Sequence, residues 1–142
     1  MTYVGRFLLA GAASGPVLAT TPLSFWGGVD PLTGIVIDRS HPAHGVGLAG
    51  TILVMPVGRG SSSSSTVLAE AIRLGTAPAA ILLSEADPIL VIGALVAARL
   101  YARTCPLVLL APADHAAVAA APFAAIATDD GDRARIHALP KA

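Results

Sequence analysis

The run Gly58-Arg59-Gly60-Ser61-Ser62-Ser63-Ser64-Ser65-Thr66 gathers glycine, hydroxyl and guanidinium groups into one short stretch. It is followed at once by Val67-Leu68-Ala69-Glu70-Ala71-Ile72-Arg73-Leu74-Gly75, an apolar pattern with a glycine stop that predicts a helix over 66–75. Glycines at 58 and 60 let a ligand approach the backbone. A helix N-terminus offers N–H groups with no partner of their own, and Arg59 with the hydroxyls adds further donors. The chemistry this favours is the holding of a small anion, a carboxylate above all, with Arg59, Gly60, Ser62 and Ser63 as the binding groups. A serine in such a place can also move a proton if the dipole and Arg59 stabilise its alkoxide. The run is no phosphate-binding P-loop, because the Gly-Lys-Ser/Thr ending is missing and the only lysine is Lys141. A dinucleotide fingerprint is excluded by the absent third glycine. Two plainer readings stand beside the cradle: a low-complexity linker, and helix capping by one hydroxyl with the rest as filler. The later serines are expected in capping positions or on the helix flank.

Other residues carry weaker signals. His41 and His44 lie near Asp38, but histidines on a proline-containing loop serve turns and solvent more often than metals, so no metal ligand is assigned. Asp30 and Asp38 read as turn formers. Trp26 with Gly27-Gly28 either shapes a substrate mouth or makes a tight turn. Glu70 follows the serines on the helix, solvated or facing a partner. Cys105, before Pro106, reads as a small buried apolar residue. No spacing brings His41 or His115 beside the serines as a triad would need.

The elements that must position the glycine–serine turn follow from apolar runs. Residues 51–56, 79–84 and 106–111 are continuous apolar stretches, as expected of strands buried on both faces. Between them stand the 66–75 helix and a second helix from Asp87-Pro88 to about Tyr101, opened by a good N-cap and a proline at the first helical position. Strand–helix–strand–helix–strand is a βαβαβ unit, hence a parallel sheet with right-handed crossovers, and the turn sits at a carboxyl end of it, where such sheets bind ligands. Residues 5–10 and 16–20 predict a hairpin around Gly11-Ala12-Ala13-Ser14-Gly15, and 34–38 a further strand. Residues 113–121 predict a short helix or turn, and 122–128 and 134–139 late strands. The expected fold class is α/β: one swivelling domain of β/β/α layering over residues 1–142 with a βαβαβ parallel core.

Composition narrows the class. The chain has 142 residues, 54% apolar and 13% charged, with nine basic against nine acidic side chains. Disorder requires the opposite balance, and zero net charge leaves no footprint for nucleic acid and no polybasic membrane patch. One cysteine excludes a disulfide framework or an all-cysteine metal site in this chain. The apolar opening after Arg6 is broken by glycine and proline, unlike a signal peptide. The run 89–98 is about half of the roughly 20 residues a membrane span needs. A cytoplasmic protein is expected, with part of its apolar surface covered by a partner.

Together, Gly5-Arg6, Pro22-Leu23-Ser24-Phe25-Trp26-Gly27-Gly28-Val29-Asp30, Gly34 with Asp38 and His41-Pro42, Pro56 with residues 58–65, and Gly75 with Ala77-Pro78-Ala79 resemble the small subunit, or swivel domain, of the aconitase X family. The resemblance spans about residues 5–110. It implies an aconitase swivel-like domain that closes over a large subunit holding an iron or iron–sulfur centre, with no cofactor in this chain. It also implies a hydro-lyase that dehydrates a small hydroxy-carboxylate, with Ser61, the first serine after Arg59-Gly60, as proton acceptor. Family activities include dehydration of cis-3-hydroxy-L-proline, the leading expectation, and of phosphomevalonate, the alternative. A reading of another class is a non-catalytic anion-binding swivel module.

Overall fold

The computed structural model describes residues 1–140. Its elements run β1 (Thr2–Leu9), β2 (Ala13–Ala19), β3 (Ile52–Val54), α1 (Ser64–Leu74), β4 (Ala80–Leu83), α2 (Pro88–Tyr101), β5 (Leu107–Leu109), α3 (Pro112–Ala119), β6 (Phe123–Asp130) and β7 (Arg133–Leu139). The stretch β3–α1–β4–α2–β5 is the expected βαβαβ unit, with β3 parallel to β4 and β4 parallel to β5. Its helix boundaries are chemically marked. The Asp87 Oδ1 accepts from the Ile89 and Leu90 amides at 3.1 and 3.3 Å, and Pro88 follows as the first helical residue. Gly75 ends α1 in the left-handed region at φ +78. Among the described residues no helix is long and apolar enough to cross a membrane.

The strands close into a barrel in the order β1-β5-β4-β3-β2-β6-β7. The hairpin expected between residues 5–10 and 16–20 does not form: β1 pairs with β5 and β7, whereas β2 pairs with β3 and β6. The reason lies at the far end of the chain. β6 and β7 pair with each other across Gly131 and fill the gap between β1 and β2. Each of those strands thereby gains two neighbours, and the sheet has no exposed edge to protect. Alternate residues then separate two cores. Ile52, Val54, Ala80, Leu82 and Val108 form one cluster with Ala124, Ile126, Ala134 and Ile136 inside the barrel, with Val118 of α3 packed into it. Leu53, Met55, Ile81, Leu83 and Leu107 face the other way, onto Leu68 and Ile72 of α1, Leu90 and Ala94 of α2, and the 21–50 segment. Two buried faces are why these strands read as continuous apolar runs.

The 34–38 strand also fails to form. Only isolated bridges join Val29 to Val36 and Ile35 to Gly47, and Ile35 and Ile37 are exposed. The backbone of this stretch spends its hydrogen bonds on local turns: Val36 donates to Val46 O and Gly45 donates to Val36 O. No sheet edge remains for it to join.

Cys105 lies buried at the entrance to β5, 2% exposed, and burial pushes its thiol up from 9.0 to about 12. Because the folded state raises this value, the stability tied to the neutral thiol is complete below about pH 9 and is lost as pH rises toward 12. The expected result is that a thiol-reactive dye at pH 8 leaves the folded chain unlabelled and labels it fully in denaturant. Rapid labelling of the native chain would contradict this burial.

Candidate functional site

The turn from Gly58 to Ser63 leaves the carboxyl end of β3 and is held from three sides. The Gly58 amide donates to Asp87 Oδ2 at 3.1 Å, so one carboxylate both starts α2 and fixes the turn. A Cβ on residue 58 would stand 2.6 Å from that oxygen, which explains glycine here. The Arg59 amide donates to Leu23 O at 3.3 Å. Gly60 sits at φ +95 against Ser24, and a Cβ there would fall 2.2 Å from Ser24 Oγ. The apolar stretch from β3 delivers the turn, and the 22–28 segment walls it.

The serines do not behave alike. The Ser64, Ser65 and Thr66 amides donate to the carbonyls of Ser61, Ser62 and Ser63, a tight first turn that starts α1 at Ser64 rather than at the expected residue 66. Ser61 Oγ accepts from the Ser63 amide at 3.1 Å. Among the described residues, the amides of Gly60, Ser61 and Ser62 donate to nothing, and Ser61 and Ser62 are exposed. These three N–H groups and the hydroxyls of Ser61, Ser62 and Ser63 thus share one open stretch beside Arg59, an arrangement able to hold an anion at a helix N-terminus. Of the two places expected for the later serines, capping positions or the helix flank, the side chains of Ser64 and Ser65 take no capping bond. Ser64 is 3% exposed and its Oγ accepts from the Trp26 amide at 3.0 Å, while Ser65 Oγ donates to Ser62 O at 2.9 Å. The backbone bonds of the first turn leave no N–H there for a Ser64 or Ser65 side chain to cap.

Arg59 is paired with Asp38 at 3.5 Å, with more than half of its side chain exposed. The Ser40 hydroxyl and amide both donate to Asp38, and with the Arg59 charge they hold its carboxyl below the ordinary range. Asp38 therefore stays ionised, and keeps Arg59 beside the turn, until the pH falls below the usual carboxylate range. Asp30 accepts from the Leu32 amide in a local turn. Both ring nitrogens of His41 meet backbone, Nδ1 accepting from Ala43 and Nε2 facing Pro22 O, so His41 secures the wall segment. Glu70 is bound by Arg73 along α1. His115 is buried with Nε2 on Met55 O, away from the serine hydroxyls.

Ser24, Ser64, Asp38 and the second oxygen of Asp87 went unassigned in the sequence as parts of this site. Their partners lie 21 to 38 residues away along the chain, beyond any local spacing rule. The conjunction of Ser24-Phe25-Trp26-Gly27-Gly28 with the serine run was the available signal. The resemblance assigns the iron centre to a large subunit and not to this chain. Among the described residues no three histidine, cysteine or carboxylate side chains converge, and the single thiol is buried and protonated.

Comparison with known proteins adds an independent line. A family profile described as the aconitase X swivel domain matches residues 2–137. The chain is 56% identical over 108 residues to a cis-3-hydroxy-L-proline dehydratase of Pseudomonas aeruginosa, covering 75% of this chain and 19% of that protein. It is 48% identical over 93 residues to the phosphomevalonate dehydratase small subunit of Methanothermobacter thermautotrophicus, covering 65% of this chain and 71% of that subunit. The chain thus spans about a fifth of the length of the first two curated relatives it matches. Among solved structures, Thermococcus kodakaraensis aconitase X in its holo-form superposes with a TM-score of 0.78 at 33% identity, over 96% of this chain and 98% of that one. A protein solved by NMR in solution superposes at 0.81 and 30% identity, over 98% of this chain and 99% of that one.

Proposed function

The chain belongs to the aconitase X swivel-domain family, and from that premise we propose that it is the small subunit of a hydro-lyase that acts only with a large partner polypeptide. The observation that carries the reading is the exposed Ser61 hydroxyl, set among three unbonded amides at the start of α1 and beside Arg59. In the proposed reaction Arg59, the Gly60 amide and the hydroxyls of Ser62 and Ser63 hold a substrate carboxylate. Ser61, as alkoxide, takes the proton from the carbon next to that carboxylate, and the electron pair of the broken C–H bond becomes a C=C bond as hydroxide leaves the adjacent carbon. The amide of Ser63 and the positive end of α1 favour negative charge on Ser61 Oγ. The iron centre belongs, in this reading, to the partner.

Exposed apolar side chains support a partner. Ile92, Leu95, Val96 and Leu100 recur at helical spacing along the outer face of α2, and Trp26 of the wall segment and Leu32 beyond it stand exposed. A lone soluble domain seldom leaves such a stripe open. The preferred substrate is cis-3-hydroxy-L-proline, after the relative with 56% identity. Phosphomevalonate is the second reading, favoured by the relative whose own small subunit this chain largely covers.

The test is co-expression with the large subunit, followed by assay of water loss from each substrate. Turnover of one substrate by the pair, and none by the isolated chain, is expected. Two outcomes would overturn the reading: a pair inert toward both, or an isolated chain that turns over alone.

A further inference from the structure

We infer that Ser64 is a positioning residue whose buried hydroxyl clips the Trp26 turn onto the glycine–serine turn and so fixes one wall of the ligand cleft. The inference rests on the reading of residues 58–63 as the substrate site and extends it to a residue outside that stretch. Ser64 is 3% exposed, in the first turn of α1. A hydroxyl at such a place ordinarily caps its own helix or bonds back to a nearby carbonyl. This one does neither. It accepts from the Trp26 amide, 38 residues away, at 3.0 Å.

The same tryptophan is tied from its other side. Ser24 Oγ donates to Trp26 O at 2.8 Å, and Ser24 is the side chain against which Gly60 is seated. Ser64, Trp26, Ser24 and Gly60 therefore close a ring of contacts between two turns that are distant in sequence. Both backbone polar groups of Trp26 are thereby fixed by side chains. Trp26 as a whole nevertheless stays 57% exposed, whereas the neighbouring Phe25 is fully buried and anchors the segment. Trp26 is thus a large, exposed aromatic on a tied backbone, bonded to the residue two positions after the open amides of 60–62, and offers a surface for the apolar part of a carboxylate-bearing ligand. Loss of the Ser64 hydroxyl leaves a half-buried N–H without a partner and frees that surface to move.

Trp26 is the only tryptophan, so its emission reports this clip alone. In the isolated chain, Ser64→Ala is expected to lower the Trp26 emission anisotropy and to raise acrylamide quenching. The rise stays below about twofold, because Trp26 is already 57% exposed. Ser65→Ala removes a like hydroxyl that bonds only Ser62 O, and is expected to change neither. Should Ser64→Ala fail to fold, Ser24→Ala cuts the clip from its more accessible side and is expected to loosen Trp26 in the same way. In the assembled enzyme, Ser64→Ala is expected to raise KM about tenfold with a smaller fall in kcat. The inference is overturned if Trp26 stays equally rigid in Ser64→Ala and Ser24→Ala, or if Ser65→Ala loosens it as much. It is overturned also if Trp26 loosens while KM is unchanged. Failure of the catalytic reading is seen separately, as full turnover in Ser61→Ala whatever the fluorescence does.

Discussion

Ser61→Ala lowers kcat of the assembled enzyme by about two orders of magnitude or more, the usual minimum for loss of a general base. The effect is expected in kcat because the hydroxyl acts on the reacting carbon, whereas the carboxylate clamp of Arg59 and the turn amides is left in place. Stability falls by only about 1 kcal/mol, since the hydroxyl also accepts the Ser63 amide and so contributes a cap-sized bond. That disparity separates a catalytic role from a capping one. A cap alone would lower the melting temperature and leave turnover per folded enzyme unchanged. Ser62→Ala and Ser63→Ala, whose hydroxyls bond nothing among the described residues, are expected to cost far less turnover. If either abolishes turnover while Ser61→Ala retains it, the base lies further along the turn. If all three retain it, the serine turn does no proton transfer.

What could be read from the sequence divides along the range of the interactions. Asp87-Pro88 announced the start of α2 because capping is decided within three residues. The runs 51–56, 79–84 and 106–111 announced parallel strands because burial on both faces erases alternation. Barrel closure was not legible, since it depends on β6 and β7 joining strands more than a hundred residues earlier. That same distant pairing turned the expected hairpin into two separated strands. At the site, residue types and spacing singled out the 58–66 run, because glycine, hydroxyl and guanidinium chemistry is local. Its supports were hidden. Ser64 reads in the sequence only as one of the later serines of the run, and Asp38 as a turn former, because Trp26 and Arg59 reach them only in the fold. Asp87 was recognised as a cap by its first oxygen, whereas the second oxygen's hold on Gly58 depends on β3 and β4 lying side by side.

Gly60→Ala tests whether that support is rigid. Residue 60 has φ +95, a conformation that costs a residue with a side chain about 1–2 kcal/mol. Its new Cβ would also fall 2.2 Å from Ser24 Oγ and 3.0 Å from Ser24 Cβ. Rotation of the hydroxyl relieves only the first contact, and it breaks the bond to Trp26 O. Shifting the backbone instead moves the neighbouring Ser61. The expected loss of stability is about 2–4 kcal/mol, conformational strain and overpacking together. Turnover in the assembled enzyme is expected to fall about a hundredfold, the scale set by an ångström of misplacement at a reacting group. Gly27→Ala supplies the comparison, because Gly27 also has positive φ, +75, yet a Cβ there meets nothing within 4 Å. It should lose the conformational part alone and keep most of its turnover. Denaturant unfolding of both variants, with kinetics on the assembled pairs, measures the difference. Equal losses in the two would mean that Ser24 yields freely to the added methyl. Recovery of turnover in Gly60→Ala when Ser24→Gly is added would locate the damage in that contact, since the second change removes both atoms the new Cβ strikes.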